Sequence, residues 1–527
     1  MISCTENCEL KEWKRLASME AVLSKQLVQV RSQMNACIAA CRLPPELLRE
    51  IFILLRDDAE PKLMVPLSHV CSVWRQAALG YQDLWTGINL MNTALTDMFI
   101  RRSGNAPLSL CLDERESLDL GAIRHSIARL THIEAYMAEP LMVKLCEFLS
   151  DAQVDNLVSL DLATPLDSEE FHTNIHLPSL SHSLHTLRRL SLWQVKPSQW
   201  SSIGACKGLR SLTLNHHYYV DSDKRDPLPS MNQFLDILES LPLLQELNLT
   251  LSGVEPLSQL VTTYPIHQRS VALPNLRHLY IKLKKVIDIG YLLAHLTIPE
   301  TARVQVEVEK KLPLPVASLL TCLPSDFSNL RFLGTTTSIQ LGEAEPGQGL
   351  SLKAFGEASA YGNEPCFEVS ARSNDLSGLF RATLLHLGSI FRHTRTTTLK
   401  IYLQDDYAYS LPAIEDWVQP LLHLPTITSL RLYHARSSRP LQPADPVLEE
   451  HIVKLVGALT VTFPAAPYQL LPALTTLQLF NFPRVTPREI RHEILDEELK
   501  RLMQARRKAT EGRTPFDILI DGTRFGL

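Results

Sequence analysis

The chain has 527 residues, 45% of them hydrophobic, with a formal net charge of −5. At about 150 residues per unit that is enough for roughly three or four compact units with a sizeable core. The charge balance speaks against the concentrated basic face that a phosphate backbone or an anionic membrane would need, so neither nucleic acid nor membrane is expected as a partner.

Gly is scarce, at 20 residues, against about 7% in an average chain. Nucleotide sites and nucleophile elbows rely on Gly-rich turns, so this scarcity disfavours those enzymes. The start, Met1-Ile2-Ser3-Cys4-Thr5-Glu6, has neither the basic nor the apolar region of a signal peptide. The most apolar stretch, near Leu455–Leu474, is broken by Pro464, Pro467 and Pro472 and falls short of a membrane span. A cytoplasmic or nuclear protein with reduced Cys is the expectation.

Residues from about 9 to 41 read as one helix. Trp13, Leu27, Met34 and Cys41 form one line of side chains seven apart, and Leu16, Leu23, Val30 and Cys37 a second, offset by three. That is a coiled-coil seam, broken by Glu20. A short coiled coil and a helix packing back on its own chain both fit. Cys4 with Cys8, and Cys37 with Cys41, are CxxxC pairs, but 28 residues without Gly or Pro separate the pairs. Free thiols are expected there, not a cross-link or a metal site.

The run Leu43-Pro44-Pro45-Glu46-Leu47-Leu48-Arg49-Glu50-Ile51-Phe52-Ile53-Leu54-Leu55 comes next. Pro45 suits the first turn of a helix and Glu46 its positive end. Leu47, Ile51 and Leu54 or Leu55 line one side, and Leu48 and Phe52 widen the apolar surface beyond what a solvent-facing helix needs. A second helical pattern, Leu67, Val70, Cys71 and Trp74, precedes Arg75, and Tyr81-Gln82-Asp83-Leu84-Trp85 closes the unit. Such a short unit folds firmly only with unusual packing or a partner.

The series LPPELLREIF, then LSHVCSVWRQAA, then YQDLW resembles an F-box, in the variant common among fungal F-box-like proteins. Those typically carry a preceding coil and a following segment like Arg102–Leu110, RSGNAPLSL. The resemblance implies binding to the small adaptor subunit that links F-box proteins to a cullin scaffold. The residues it places there are Leu43, Pro44, Pro45, Glu46, Leu47, Ile51, Phe52, Leu67, Val70, Cys71, Trp74 and Arg75.

From about 105 to 485 the template L-x-x-L-x-L recurs. It matches Leu157/Leu160/Leu162, Leu187/Leu190/Leu192, Leu209/Leu212/Leu214, Leu244/Leu247/Leu249, Leu276/Leu279/Ile281, Ile427/Leu430/Leu432 and Leu474/Leu477/Leu479. Thr398–Leu403 and Pro107–Leu112 fit loosely. Pro enters just before several apolar segments, as in LPNL, LPTI and LPAL, and fixes an extended approach. The first five matches start 30, 22, 35 and 32 residues apart, longer and less even than the 20–29 typical of leucine-rich repeats. A helix is expected between strands, as at Met231–Ser240, giving stacked strand-helix units. Thr301–Ser370 departs from the template: Val304, Val306 and Val308 suggest a strand, Gly342–Gly349 a loop, and Cys366–Ser370 a return to strand. A helix from Pro487 to about Lys508, with Thr486 as N-cap, and a strand at Asp517–Asp521 end the chain.

Catalytic motifs are absent from the sequence: no Walker loop, HExxH, GxSxG or CxxC. Gly347-Gln348-Gly349 reads as a loop, His492-Glu493 as a solvated helix face, and Asp405-Asp406 as an acidic loop. His216 and His217 are adjacent in extended chain, point opposite ways and make a poor metal pair. Lys500, Arg501, Arg506, Arg507 and Lys508 suit the negative end of a helix, though nuclear import or nucleic-acid contact is the competing reading.

Strand phase singles out a second surface. With the template's apolar positions facing inward, Arg189, Ser191 and Trp193, then Ser211, Thr213 and Asn215, then Glu246, Asn248 and Thr250 face outward. His278, Tyr280 and Lys282, then Ser429, Arg431 and Tyr433, then Thr476, Gln478 and Phe480 continue the face. Tyr, Trp and Arg dominate binding hot spots, so Arg189, Trp193, Asn215, His278, Tyr280, Lys282, Arg431, Tyr433 and Phe480 are the candidate target-binding residues. Insertions covering this face would bury the aromatics instead.

The expectation is an α/β chain: an N-terminal helix or short coiled coil over 1–41, a three-helix F-box over 42–90, a leucine-rich-repeat-like solenoid over 105–485 and a helix-strand cap over 486–527. It would act as a non-enzymatic substrate adaptor of a cullin-RING ubiquitin ligase, using no cofactor and no metal. Its partners would be the cullin adaptor and an unnamed target protein. The alternative is a repeat scaffold without ligase association.

Overall fold

The computed structural model describes residues 2–58, 63–90, 92–113, 118–152, 154–165, 174–175, 185–216, 229–251, 269–283, 286–308, 318–324, 326–342, 349–356, 364–373, 375–404, 413–435, 446–460, 470–480, 491–509 and 515–525. It divides into two compact units: Met1–Pro165 with Pro178–Leu187, and Leu166–Leu177 with Arg188–Leu527.

The first unit opens with helix α1 (Ile2–Ala36), followed by α2 (Pro45–Asp58), α3 (Met64–Leu67) and α4 (Ser72–Gly80). Then come β1 (Gly87–Ile88), α5 (Thr93–Arg102), β2 (Leu108–Asp113), β3 (Leu130–Tyr136), α6 (Glu139–Asp151) and β4 (Ser159–Ala163). β1 to β4 pair in sequence order, all parallel. Helix α1 starts and ends earlier than the heptads suggest, and a 3-10 turn at Ala39–Arg42 follows it. Trp13, Leu16, Leu23, Leu27, Val30 and Met34 are each 50% exposed or more, so α1 does not bury its seam against the described residues.

The single helix expected over Leu67–Ala78 is broken in two. Cys71 is fully extended (φ −157°, ψ 175°) and its thiol accepts the Trp74 amide at 3.5 Å, which makes it the N-cap of α4. A capping side chain satisfies an amide that the first helical turn leaves unpaired, so the break is stabilised locally.

The second unit contains β5 (Asn174–Ile175), β6 (Arg189–Trp193), β7 (Lys196–Pro197), β8 (Ser211–His216), α7 (Met231–Glu239), β9 (Glu246–Leu251), β10 (Val271–Ala272) and β11 (His278–Leu283). It continues with α8 (Val286–Ala294), β12 (Leu296–Thr297), β13 (Arg303–Val308), β14 (Thr336–Gly342), β15 (Leu350–Gly356), β16 (Phe367–Ala371), α9 (Leu376–Phe391) and β17 (Thr398–Gln404). The last elements are α10 (Ile414–Leu422), β18 (Ser429–Ala435), α11 (Pro446–Thr460), β19 (Thr476–Phe480), α12 (Arg491–Ala509), β20 (Asp517–Ile520) and β21 (Thr523–Arg524). Its main sheet runs β6-β8-β9-β11-β13-β16-β15-β14-β17-β18-β19-β20. These strands are parallel except β15, which is antiparallel to both neighbours.

The leucine template explains the register. Leu190, Leu212, Leu247, Leu279 and Val304 align across five strands, as do Leu192, Leu214, Leu249, Ile281 and Val306. All are buried, each contributing about 1.5–3 kcal/mol of transfer free energy. Helices cover this side in sequence order: α9 packs on α10, α10 on α11, and α11 on α12. Ser230 and Gln233 close a reciprocal capping box at the start of α7.

In the Thr301–Ser370 region the expected strand and return strand are present as β13 and β16, and two further strands, β14 and β15, were not expected. β13 pairs with β16, and β14 and β15 double back to complete an inserted meander. A parallel neighbour of β13 therefore comes from about sixty residues later, which no repeat spacing encodes. Of the expected loop, 343–348 lie outside the described residues, as do His217, Tyr218, Tyr219, Asp405, Asp406 and the proposed N-cap Thr486. The final strand ends at Ile520, and Asp521-Gly522, both at positive φ (48° and 79°), turn it back into β21.

Candidate protein-binding surfaces

Helix α2 carries two apolar faces. Leu48 and Phe52, four apart, point inward and are buried with Met64, Ala77, Ala78, Leu84 and Trp85. Phe52 meets Trp74 edge-on at 5.3 Å between ring centres. Trp85 donates from Nε1 to the Ala78 carbonyl at 2.8 Å, contacts Phe99 edge-on at 5.1 Å, and lies under the Arg102 guanidinium at 4.3 Å. Polar contacts lock the remainder: Trp74 Nε1 to the Ala40 carbonyl, Arg75 Nε to the Ser68 carbonyl, and Tyr81 to the Pro45 carbonyl.

The other face of α2 has no partner within the described residues. Leu47 and Leu54, seven apart and therefore on one side of the helix, are 52% and 66% exposed, with Ile51 half-buried between them. Leu63, Val70 and Val73 add further exposed apolar side chains, and Pro44, Pro45 and Glu46 are exposed at the helix start. Leu43, Leu67, Cys71 and Trp74 are half-buried, and Arg75 is exposed. Phe52 is the correction: at 1% exposure it belongs to the core and not to a surface. Leu54, which the helical spacing already places on the Leu47–Ile51 side, belongs to this surface, and Leu63 and Val73 are further surface residues that the spacing does not reveal.

Cys41 and Cys71 lie within interaction range, and burial followed by contact with Cys71 raises the Cys41 thiol above its ordinary pKa. Cys37 and Cys41 are free thiols; the side chains of Cys4 and Cys8 lie outside the described residues. Burial pushes Cys146, Cys206 and Cys322 up to about 12. Since the thiolate is the nucleophile, these three should resist iodoacetamide at pH 8 in the folded protein while exposed Cys37 reacts within minutes. Mass spectrometry after a timed quench reads this, and rapid labelling of the three would show that their packing is wrong.

On the sheet, the outward row keeps the predicted phase but not uniform exposure. Arg189 is exposed, and Trp193, 46% exposed, donates from Nε1 to Ser191 Oγ at 3.1 Å. Asn215 is buried at 8% exposure, so it is not available as a contact on the free surface. His278, Tyr280 and Lys282 are half-buried. Tyr280 and Lys282 both donate to Glu307, at 2.9 and 2.7 Å, across the β11–β13 pairing. Burial and then the Glu307 bond raise the Tyr280 pKa. Burial works against ionised Glu307, but the bonds from Lys282 and Tyr280 prevail and hold its pKa below the usual value.

Arg431, Tyr433 and Phe480 are half-buried at the other end of the sheet. There Tyr402, Tyr433 and Phe480 stack face to face, with 4.6 Å between successive ring centres and interplanar angles of 8° and 6°. Their Cα atoms are register partners across β17, β18 and β19. Tyr402 and Lys400 were missed because their strand fits the template only loosely, although its alternation gives the same outward phase.

Two of the five C-terminal basic side chains are held in place, while Lys500, Arg507 and Lys508 remain exposed on α12. Arg506 is 2% exposed and donates to the Leu470 and Leu471 carbonyls, and its burial lowers its pKa to about 10. Arg501 pairs with Glu497 and Glu498 one turn back on α12. Among the described residues no group of His, Cys, Asp or Glu is arranged to hold a metal ion, and no helix is long and apolar enough to cross a membrane.

No curated protein matches the chain in sequence. Among solved structures, an internalin from Listeria monocytogenes is similar over 80% of this chain and 88% of that one, at 12% identity and a TM-score of 0.29. Residues 40–91 match the family model described as F-box-like, and the chain therefore carries an F-box-like domain followed in sequence by strand-helix units.

Proposed function

We propose that this protein is a substrate-recruiting adaptor of an SCF-type cullin-RING ubiquitin ligase. The F-box-like domain binds the cullin-adaptor subunit, and the outward sheet face of the strand-helix units binds a target protein. The observation that carries this reading is the second apolar face of α2, Leu47, Ile51 and Leu54, left outside a module whose core is already filled. An exposed apolar ridge on so small a domain marks an interaction site. The finer reading as the fungal variant rests on the following segment RSGNAPLSL at Arg102–Leu110.

In this role the chain makes and breaks no bonds. It raises the effective concentration of a target lysine beside a ubiquitin-charged enzyme, in the cytoplasm or nucleus. Leu43 and Pro44 shape the start of the ridge. Deleting both should abolish capture of the purified cullin adaptor by the full chain and leave the melting of the strand-helix units unchanged. Undiminished capture would remove the ligase assignment and leave a scaffold.

A further inference from the structure

The outward sheet face carries several cations, and three of them are neutralised in place. Lys282 pairs with Glu307 at 2.7 Å, Lys353 with Glu368 at 3.0 Å, and Arg303 with Glu364. Lys400 and Arg431 differ. They are Cα partners on adjacent parallel strands β17 and β18, both half-buried, and no carboxylate among the described residues pairs with either. The Arg431 guanidinium is held by the Ser429 hydroxyl at 3.3 Å, and the Lys400 ammonium lies 5.6 Å from the centre of the Phe355 ring. Burial, and then the charge of Arg431, lower the pKa of Lys400. Like charges directly opposite each other in a sheet destabilise it, and an anion between them would reverse that cost.

The row two residues further along the same strands is the stack of Tyr402, Tyr433 and Phe480. Successive residues on one face of a strand are about 6.5 Å apart, so the cation pair and the aromatic strip lie within reach of one short peptide segment. An extended nucleic acid would need a run of free cations, and the neighbouring ones are already paired.

We propose that the β17–β19 part of the sheet face is an anion-reading subsite, which takes a polypeptide segment whose carboxylate or phosphate group lies on Lys400 and Arg431 and whose neighbouring apolar or aromatic side chain lies on the Tyr402–Tyr433–Phe480 stack. It rests on the reading of this face as the target-binding surface. Arg supplies a planar fork for either anion, and charge-assisted hydrogen bonds are about twice as strong as neutral ones.

The test uses the full chain and fluorescein-labelled positional-scanning peptide libraries, fixed at the centre as phosphoserine, Glu, Ser or Lys and mixed elsewhere. Fluorescence polarisation should show the phosphoserine or Glu library bound about tenfold or more tightly than the Ser library, and the Lys library weakest. Phosphoserine well ahead of Glu assigns phosphate as the group read; parity assigns carboxylate. The double variant K400Q/R431Q should lose the preference while still melting like the parent. No binding, no preference for the anion, or the same preference in the double variant overturns the proposal. A second arm compares proteins retained from cells with the proteasome blocked. Retention lost in Y433A/F480A but intact in K400Q/R431Q overturns the anion subsite alone, whereas retention intact in both overturns the target-binding reading of the face.

Discussion

Phe52→Ala should unfold the F-box-like module, whereas Leu54→Asp should leave it folded and abolish capture of the cullin adaptor. The two residues are two positions apart on α2 and equally apolar in sequence, yet one is 1% exposed and the other 66%. Removing a buried Phe ring typically costs about 3–5 kcal/mol, the whole stability of a module this small. Phe52→Ala also takes away the edge contact that fixes Trp74, and with it the Trp74 bond to the Ala40 carbonyl. Leu54→Asp removes nothing from that core. It places a charge on the most exposed apolar residue of the ridge, where docking would strip its water without supplying a partner. Protease resistance and near-ultraviolet circular dichroism follow folding, and adaptor capture follows binding. If Leu54→Asp binds undiminished, the ridge is not the interface; if Phe52→Ala melts like the parent, Phe52 is not core.

That contrast also marks what the residues alone could say. Leu47, Ile51, Phe52 and Leu54 were all legible as apolar positions on a helix, but which of the two faces points inward depends on where α4 lies. The position of α4 in turn depends on the break at Cys71, a thiol cap that hydrophobic periodicity does not reveal. On the sheet, phase was legible strand by strand, because Leu279 and Ile281 can be inward only if Tyr280 and Lys282 are outward. Register between strands was not. The bond from Lys282 to Glu307 needs β13 beside β11, and the stack of Tyr402 on Tyr433 needs β17 beside β18. The inserted meander of β14 to β16 lies between those two parts of the sheet. Asn215 failed for a different reason: its alternation is outward, and packing covers it all the same, to 8% exposure.

The meander is also where the largest backbone sensitivity lies. Gly342 ends β14 at φ +142°, a conformation that side chains strongly disfavour and glycine adopts freely. A Cβ there would sit 2.5 Å from the Cβ of Tyr402 and 2.8 Å from its carbonyl oxygen. Gly342→Ala should therefore force β14 away from β17 and cost about 2 kcal/mol or more, as changes at strained backbone positions do. The displacement reaches the first ring of the aromatic stack, since Tyr402 carries it. The double variant Gly342→Ala with Tyr402→Gly separates the two causes. It removes the clash with the tyrosine Cβ but keeps the carbonyl contact and the unfavourable φ, so it should recover only part of the lost melting temperature. Tyr402→Gly alone supplies the baseline for that comparison. Full recovery would mean that side-chain crowding alone fixes the glycine, and a Gly342→Ala protein as stable as the parent would mean that β14 does not end against Tyr402.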